Sequence, residues 1–180
     1  MTNINSTTSM DNSVWSSPDG TSWSLVANTV PFSDYAGFKV ATLNSKIYVI
    51  GGRFATSGAL SEAKVWSSTD GVNWLTDTSS APFGPRVGHE VVTLNSKIYV
   101  IGGMNPTNST PSQYLRDVWA TSDGLNWSLL NASAPFGQLS YPIGLAYKNK
   151  IFLMGGTEQG PFSLCKKVWS SPERITWTLI

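Results

Sequence analysis

The chain has 180 residues, 41% of them apolar and only 13% charged, with a net charge of +1. That length supports a core, the charge content lies well below the usual ~25%, and the near-neutral balance gives no electrostatic basis for nucleic acid or an anionic membrane as partner. No run of about 18 apolar residues suggests a membrane span, and the polar start MTNINSTTSMDNS lacks the apolar stretch of a secretory signal, so the default expectation is a cytoplasmic chain.

In chain order, residues 1–13 read as a disordered arm, and from Val14 the chain repeats itself. VWSSPDGTSW runs from Val14 to Trp23, VWSSTDGVNW from Val65 to Trp74, VWATSDGLNW from Val118 to Trp127 and VWSSPERITW from Val168 to Trp177. The copies start 51, 53 and 50 residues apart and contain all eight tryptophans. A second phrase lies between them: KIYVIGG from Lys46, KIYVIGG from Lys97 and KIFLMGG from Lys150. A period near 50 signals a repeat architecture. The repeat predicts a half unit over 14–26, then units over 27–77, 78–130 and 131–180.

The middle unit shows how each is built. Gly88 to Leu94 is short and β-rich, Asn95-Ser96 is a turn pair, and Lys97 to Ile101 is an apolar run that reads as a strand covered on both faces. Gly102-Gly103 is expected to end it. After a long variable loop, Asp117 to Thr121 and Asn126 to Leu130 form a hairpin around Ser122-Asp123-Gly124. Asp-Gly at 19–20, 70–71 and 123–124 supplies the positive φ of a tight turn. No helical periodicity of useful length is present. The expected fold is all-β: four-stranded antiparallel propeller blades, about three and a half per chain, with paired tryptophans wedged between sheets.

Arg86-Val87-Gly88-His89, Lys97 to Gly103, Asp117-Val118-Trp119 and Trp127 together resemble the kelch repeat of β-propellers, including those of the galactose-oxidase-like central domain. The resemblance spans Val14 to Ile180. The outer units depart at the front, with Tyr35-Ala36-Gly37-Phe38 and Leu139-Ser140-Tyr141-Pro142 in place of Arg-x-Gly-His. The copper chemistry of galactose-oxidase-like relatives implies several histidines and tyrosines and a cross-linked cysteine. This chain has one histidine, His89, and one cysteine, Cys165, so neither a metal nor another cofactor is expected.

Antiparallel meanders place the second-to-third loops and the inter-blade loops on one face, and these are the long, divergent segments. That face is the expected binding face. Its aromatic and cationic members are Tyr35, Arg53, Phe54, Arg86, Tyr114, Arg116, Tyr141 and Phe162. Arg86 and His89 also match the repeat consensus and are read chiefly as braces of a strand start. Tyr114 and Arg116 have no repeat counterpart. His89 and Glu90 are a weak acid–base pair, since neighbours on a strand point to opposite faces. Pro31-Phe32, Pro82-Phe83 and Pro135-Phe136 are expected to plug the blade interfaces, Cys165 to be an incidental thiol, and Lys166-Lys167 to be solvated. These features point to a non-catalytic binding or assembly module for a protein or glycan. The alternative is an enzyme, or enzyme fragment, acting on a sugar-like substrate in the propeller channel. Propellers use roughly 4–8 blades, so the chain is expected either to close a ring with itself, a six-bladed homodimer being favoured, or to be a piece of a longer propeller.

Overall fold

Turn chemistry sets the architecture. In a computed structural model describing residues 13–32, 35–54, 62–107, 114–158, 163–172 and 174–180, every described element is a β-strand, turn or bend. The expected N-terminal arm and Phe162 lie outside the described residues.

Strands β1 (Val14–Ser16) and β2 (Ser24–Ala27) form a hairpin that stands as its own two-stranded sheet. Blade A follows, with β4 (Lys39–Leu43), β5 (Lys46–Ile50), β7 (Val65–Ser68) and β8 (Leu75–Thr78) in that order. Before and inside it, β3 (Tyr35–Ala36) pairs with β6 (Arg53–Phe54). Blade B comprises β9 (Glu90–Leu94), β10 (Lys97–Met104), β11 (Tyr114–Thr121) and β12 (Ser128–Asn131). Blade C comprises β14 (Ile143–Tyr147), β15 (Lys150–Met154), β18 (Val168–Ser171) and β19 (Thr178–Leu179). Its loop ladder joins β13 (Leu139–Ser140), β16 (Thr157–Glu158) and β17 (Ser163–Leu164). Every strand pairing among the described residues is antiparallel and each blade is a plain meander, as the sequence predicts.

Asn44-Ser45, Asn95-Ser96 and Lys148-Asn149 all take positive φ and close the inner hairpins. In the outer hairpins an aspartate organises the turn. Asp70 Oδ1 accepts from the Val72 and Asn73 amides at 2.8 Å each, and Ser68 Oγ accepts from Gly71 N at 2.8 Å. Trp74 Nε1 then donates to the Gly71 carbonyl at 3.1 Å. The same bonds recur around Asp123, with Trp127 donating to Gly124. Gly124 has φ +80°, and a Cβ there would lie well inside van der Waals contact with the Tyr48 ring of blade A. Glycine is required both by the turn and by the neighbouring sheet.

One boundary differs from expectation. β10 does not stop at Gly102 but continues to Met104, with a register shift between Ile101 and Gly103, and pairs with a β11 that begins at Tyr114. The glycine pair acts there as a bulge.

Blades pack face to face. Ala41, Leu43, Tyr48 and Ile50 of blade A meet Val91, Ile98 and Val100 of blade B. The other face of blade B, with Val92, Tyr99 and Ile101, meets Ile151 and Leu153 of blade C. The expected plugs are in place. Phe32, Phe83 and Phe136 are buried and meet Trp74, Trp127 and Trp177 edge-on at 4.8, 4.8 and 5.1 Å. Trp66 is buried against Phe32 and Tyr35.

Candidate functional site on the long-loop face

In blades A and B a polar lock joins the lead-in segment to the start of that blade's third strand, and in blade C an apolar side chain fills the corresponding place. In blade B, Arg86 is fully buried and its guanidinium donates to both Asp117 carboxylate oxygens at 3.0 Å, to the Gly102 carbonyl at 3.0 Å and to the Phe83 carbonyl. Trp119 Nε1 donates to Asp117 Oδ2 at 2.6 Å. A buried guanidinium needs this bidentate partner and these carbonyls to offset desolvation. Blade A uses Tyr35 at the corresponding position. Its hydroxyl donates to Glu62 at 3.1 Å, and Lys64 pairs with the same carboxylate. Blade C has Leu139 there, buried, with Lys167 donating to Glu158 at 2.9 Å.

This geometry sorts the sequence candidates. Arg86 and Tyr35 are buried locks and present no binding surface. Arg53 is exposed on β6 and Phe54 is its neighbour on that strand. Tyr114 is half-buried where β11 begins, and Arg116 is exposed two residues further on. Tyr141 is 59% exposed at φ +55°, its ring lying over Gly88 across the seam between blades B and C. The structure brings Arg116, but none of the other described candidates, into a cavity of roughly 270 Å³. Pro135, Phe136, Gly137, Gln138, Glu158 and Lys167 complete its lining. Its polar floor is therefore one guanidinium, one amide and the Lys167–Glu158 pair. That pairing holds Glu158 below its ordinary range and raises Lys167. The Arg116 guanidinium has no side-chain partner among the described residues. Gln138 and Glu158 went unread in the sequence because a lone glutamine and a lone glutamate carry no pattern. Lys167, read as solvated charge, is an ion-pair partner.

His89 is fully buried and neither ring nitrogen has a hydrogen-bond partner of normal geometry. Burial, then the charges of Arg86 and Lys39, push its pKa down to about 3, against a weak opposite pull from the Ile50 carbonyl. Its ring points at Gly51 in the seam with blade A, where a Cβ would lie 2.8 Å from Cε1. Glu90 points instead at Gly144 of blade C and pairs with Lys39 at 2.9 Å. The two side chains enter different seams and form no acid–base couple. Cys165 is buried, and burial raises its thiol pKa, which keeps it protonated at neutral pH. Among the described residues no three His, Cys, Asp or Glu side chains converge as a metal-binding group. No helix among them is long and apolar enough to cross a membrane.

Comparison with known proteins agrees with the repeat. The Kelch motif family matches residues 85–120, the Arg86 to Ala120 portion of blade B. Human Kelch-like protein 30 is 40% identical over 81 residues, covering 40% of this chain and 13% of that protein. The solved structure of YjhT superposes with a TM-score of 0.74 at 18% identity, over 94% of this chain and 59% of that one. The chain thus spans only part of either relative. With its blade topology, its repeated turns and these likenesses, the chain carries kelch-type repeats folded as β-propeller blades.

Proposed function

We propose that this chain is a non-catalytic binding and assembly module that recognises a protein or glycan through its long-loop face and associates with itself to close the propeller. The observation that carries the reading is the cavity around Arg116, roughly 270 Å³ between blades B and C, where a guanidinium without a side-chain partner among the described residues sits beside an amide and an ion pair. Arginine and aromatic groups at a cleft are the usual anchors of recognition. Tyr141 and Arg53 extend the exposed surface on the same side. The short-turn side has a depression of roughly 250 Å³ around Lys97, Ser122 and Asn126, and the cation–aromatic contacts of that side, Lys148 over Tyr147 and Arg174 over Tyr99, do not line it.

Immobilised glycan and peptide arrays test the reading. Wild-type protein is expected to bind a restricted set of ligands, and Arg116→Ala to lose them by about tenfold or more with an unchanged melting curve. Ligands retained at full strength by Arg116→Ala and by Tyr141→Ala would overturn the assignment of the face. The enzyme reading receives no specific support, since the buried His89 and the separated Glu90 offer no accessible acid–base pair.

A further inference from the structure

The two terminal hairpins are mismatched to their surroundings in opposite ways. The N-terminal hairpin, β1–β2, has its internal bonds complete. Asp19 Oδ1 accepts from Thr21 and Ser22, Ser17 Oγ from Gly20, and Trp23 Nε1 donates to the Gly20 carbonyl at 3.2 Å. Yet Trp15 is 51% and Trp23 59% exposed, whereas Trp66, the counterpart of Trp15, is 2% exposed and Trp74, the counterpart of Trp23, is half-buried. The C-terminal hairpin, β18–β19, has the opposite defect. Its rings are packed, Trp177 against Phe136. Its turn reads Glu173-Arg174 where the others read Asp-Gly, and Arg174 is forced to φ +65°. Trp169 Nε1, Trp177 Nε1, Ser171 Oγ and Arg174 Nε are buried with no hydrogen-bond partner. Each such orphan is destabilising.

The inner strands carry the same message. Ile143, Leu145 and Tyr147 on β14 are 65%, 42% and 57% exposed. Their counterparts Glu90 and Val92 on β9 are 8% and 5% exposed because blade C covers them. At the other end of the arc Val40 is 53% exposed, while its counterpart Val91 is 9%. One apolar sheet face trails blade C, and its natural complement leads blade A.

From these features we infer that two copies close the ring by hairpin exchange: β1–β2 of one copy replaces β18–β19 as the outer half of the other copy's blade C. The inference rests on the self-association proposed above and specifies its structure. The hairpin does not need to leave its own blade A, where Val14 and Val26 already lie against Gly71. The partner's β14–β15 pair slides beneath it, covering Val40 with Ile143 and Leu145. Trp15 and Trp23 then take the packed positions that Trp169 and Trp177 hold now. In the exchanged dimer Gly20 comes to lie over Tyr99 of the other copy as Gly124 lies over Tyr48 within one chain, so that Tyr99 can donate to the Asp19 carbonyl as Tyr48 donates to that of Asp123 at 3.2 Å. At present Tyr99 faces the Arg174 guanidinium at 5.8 Å. The occupant is a second copy because this chain itself supplies the one hairpin with complete turn bonds and unburied tryptophans.

Cross-linking tests the exchange. In β18 Ser170 pairs with Phe152, and Ser16 is its counterpart in β1. In a Cys165→Ser background, Ser16→Cys with Phe152→Cys should give a disulfide-linked dimer near 39 kDa, twice the 19.5 kDa chain, in non-reducing gels. Glu173→Asp with Arg174→Gly, which repairs the resident turn, should lower the cross-linked yield about tenfold. Because the cysteine pair alters a core position, light scattering on the unmodified chain accompanies it, with interchain nuclear Overhauser contacts between Trp15 and Tyr99 in mixed-label samples. A dimer with neither cross-link nor interchain contact overturns the exchange but leaves self-association standing. A folded monomer at 19.5 kDa overturns both.

Discussion

Lowering the pH from about 7.5 to about 5 should weaken the fold through one side chain, His89. The folded value of about 3 lies well below the ordinary 6.5. The unfolded chain therefore takes up the proton first, and the stability conferred by the neutral ring is complete above 6.5 and lost as the pH falls from there toward 3. Integrating that uptake between about pH 7.5 and about pH 5 gives a loss of about 2 kcal/mol, and the figure hardly changes for any folded pKa below about 4. Few other groups titrate in that window. The turn aspartates Asp19 and Asp70 are held below 3.8 by hydrogen bonds from Ser22 and Thr21 and from Asn73 and Val72. Their contribution is present above the ordinary carboxylate range and is lost only below it. The Cys165 thiol, raised by burial, titrates above it. Urea unfolding followed by tryptophan fluorescence, at one protein concentration and both pH values, measures the loss. His89→Leu removes the titrating ring and should flatten the response. Equal wild-type stability at the two pH values, or a His89→Leu variant that still loses about 2 kcal/mol, would refute the assignment.

Gly124→Ala should cost about 2–4 kcal/mol, since it combines positive φ with a clash against Tyr48, while Gly137→Ala, at φ +77° with open space around it, should cost about 1; equal thermal shifts would contradict the packing of blade B on blade A. Asp117→Asn leaves Arg86 buried without a counter-charge and is expected to lower unfolding free energy by about 3–5 kcal/mol in denaturant titrations. Trp66→Ala should lose about 3–5 kcal/mol, whereas Arg116→Ala should stay within about 0.5 kcal/mol of wild type, which differential scanning calorimetry can separate.

The blades were legible in the sequence because their signals are local. Asp70-Gly71 and Asn95-Ser96 specify turns from two residues each, and the apolar run after Lys97 marks a strand sheathed on both faces. The Pro-Phe plugs were legible by recurrence alone. The loop ladders were not, because β13 finds β16 across 17 residues through backbone bonds that leave no side-chain pattern. Tyr35 was misplaced on the surface although the signal lay in the alignment: it stands in the column of Arg86 and Leu139, and all three are buried. A column that changes from tyrosine to arginine to leucine looks like a variable surface unless the partners on the third strand are read with it. Arg116 was legible as a non-repeated cation, but its neighbours Gln138 and Glu158 reach it only through the fold.

The different side chains at that column bear on how the chain avoids misfolding. Successive blades share nearly identical strands, and such tandem copies are prone to pair with the wrong neighbour as they emerge and collapse. Tyr35 and Arg86 each have a polar partner at one third strand, and Leu139 has none. If the Arg86 segment docked one repeat early, its guanidinium would meet the Glu62–Lys64 pair in place of Asp117 and leave Asp117 half-buried beside no counter-charge. A register error of one whole repeat keeps almost every apolar contact, yet it strands a charge in the interior at a cost of about 3–5 kcal/mol. Blade order is thereby proofread by electrostatics where hydrophobic packing cannot distinguish the copies.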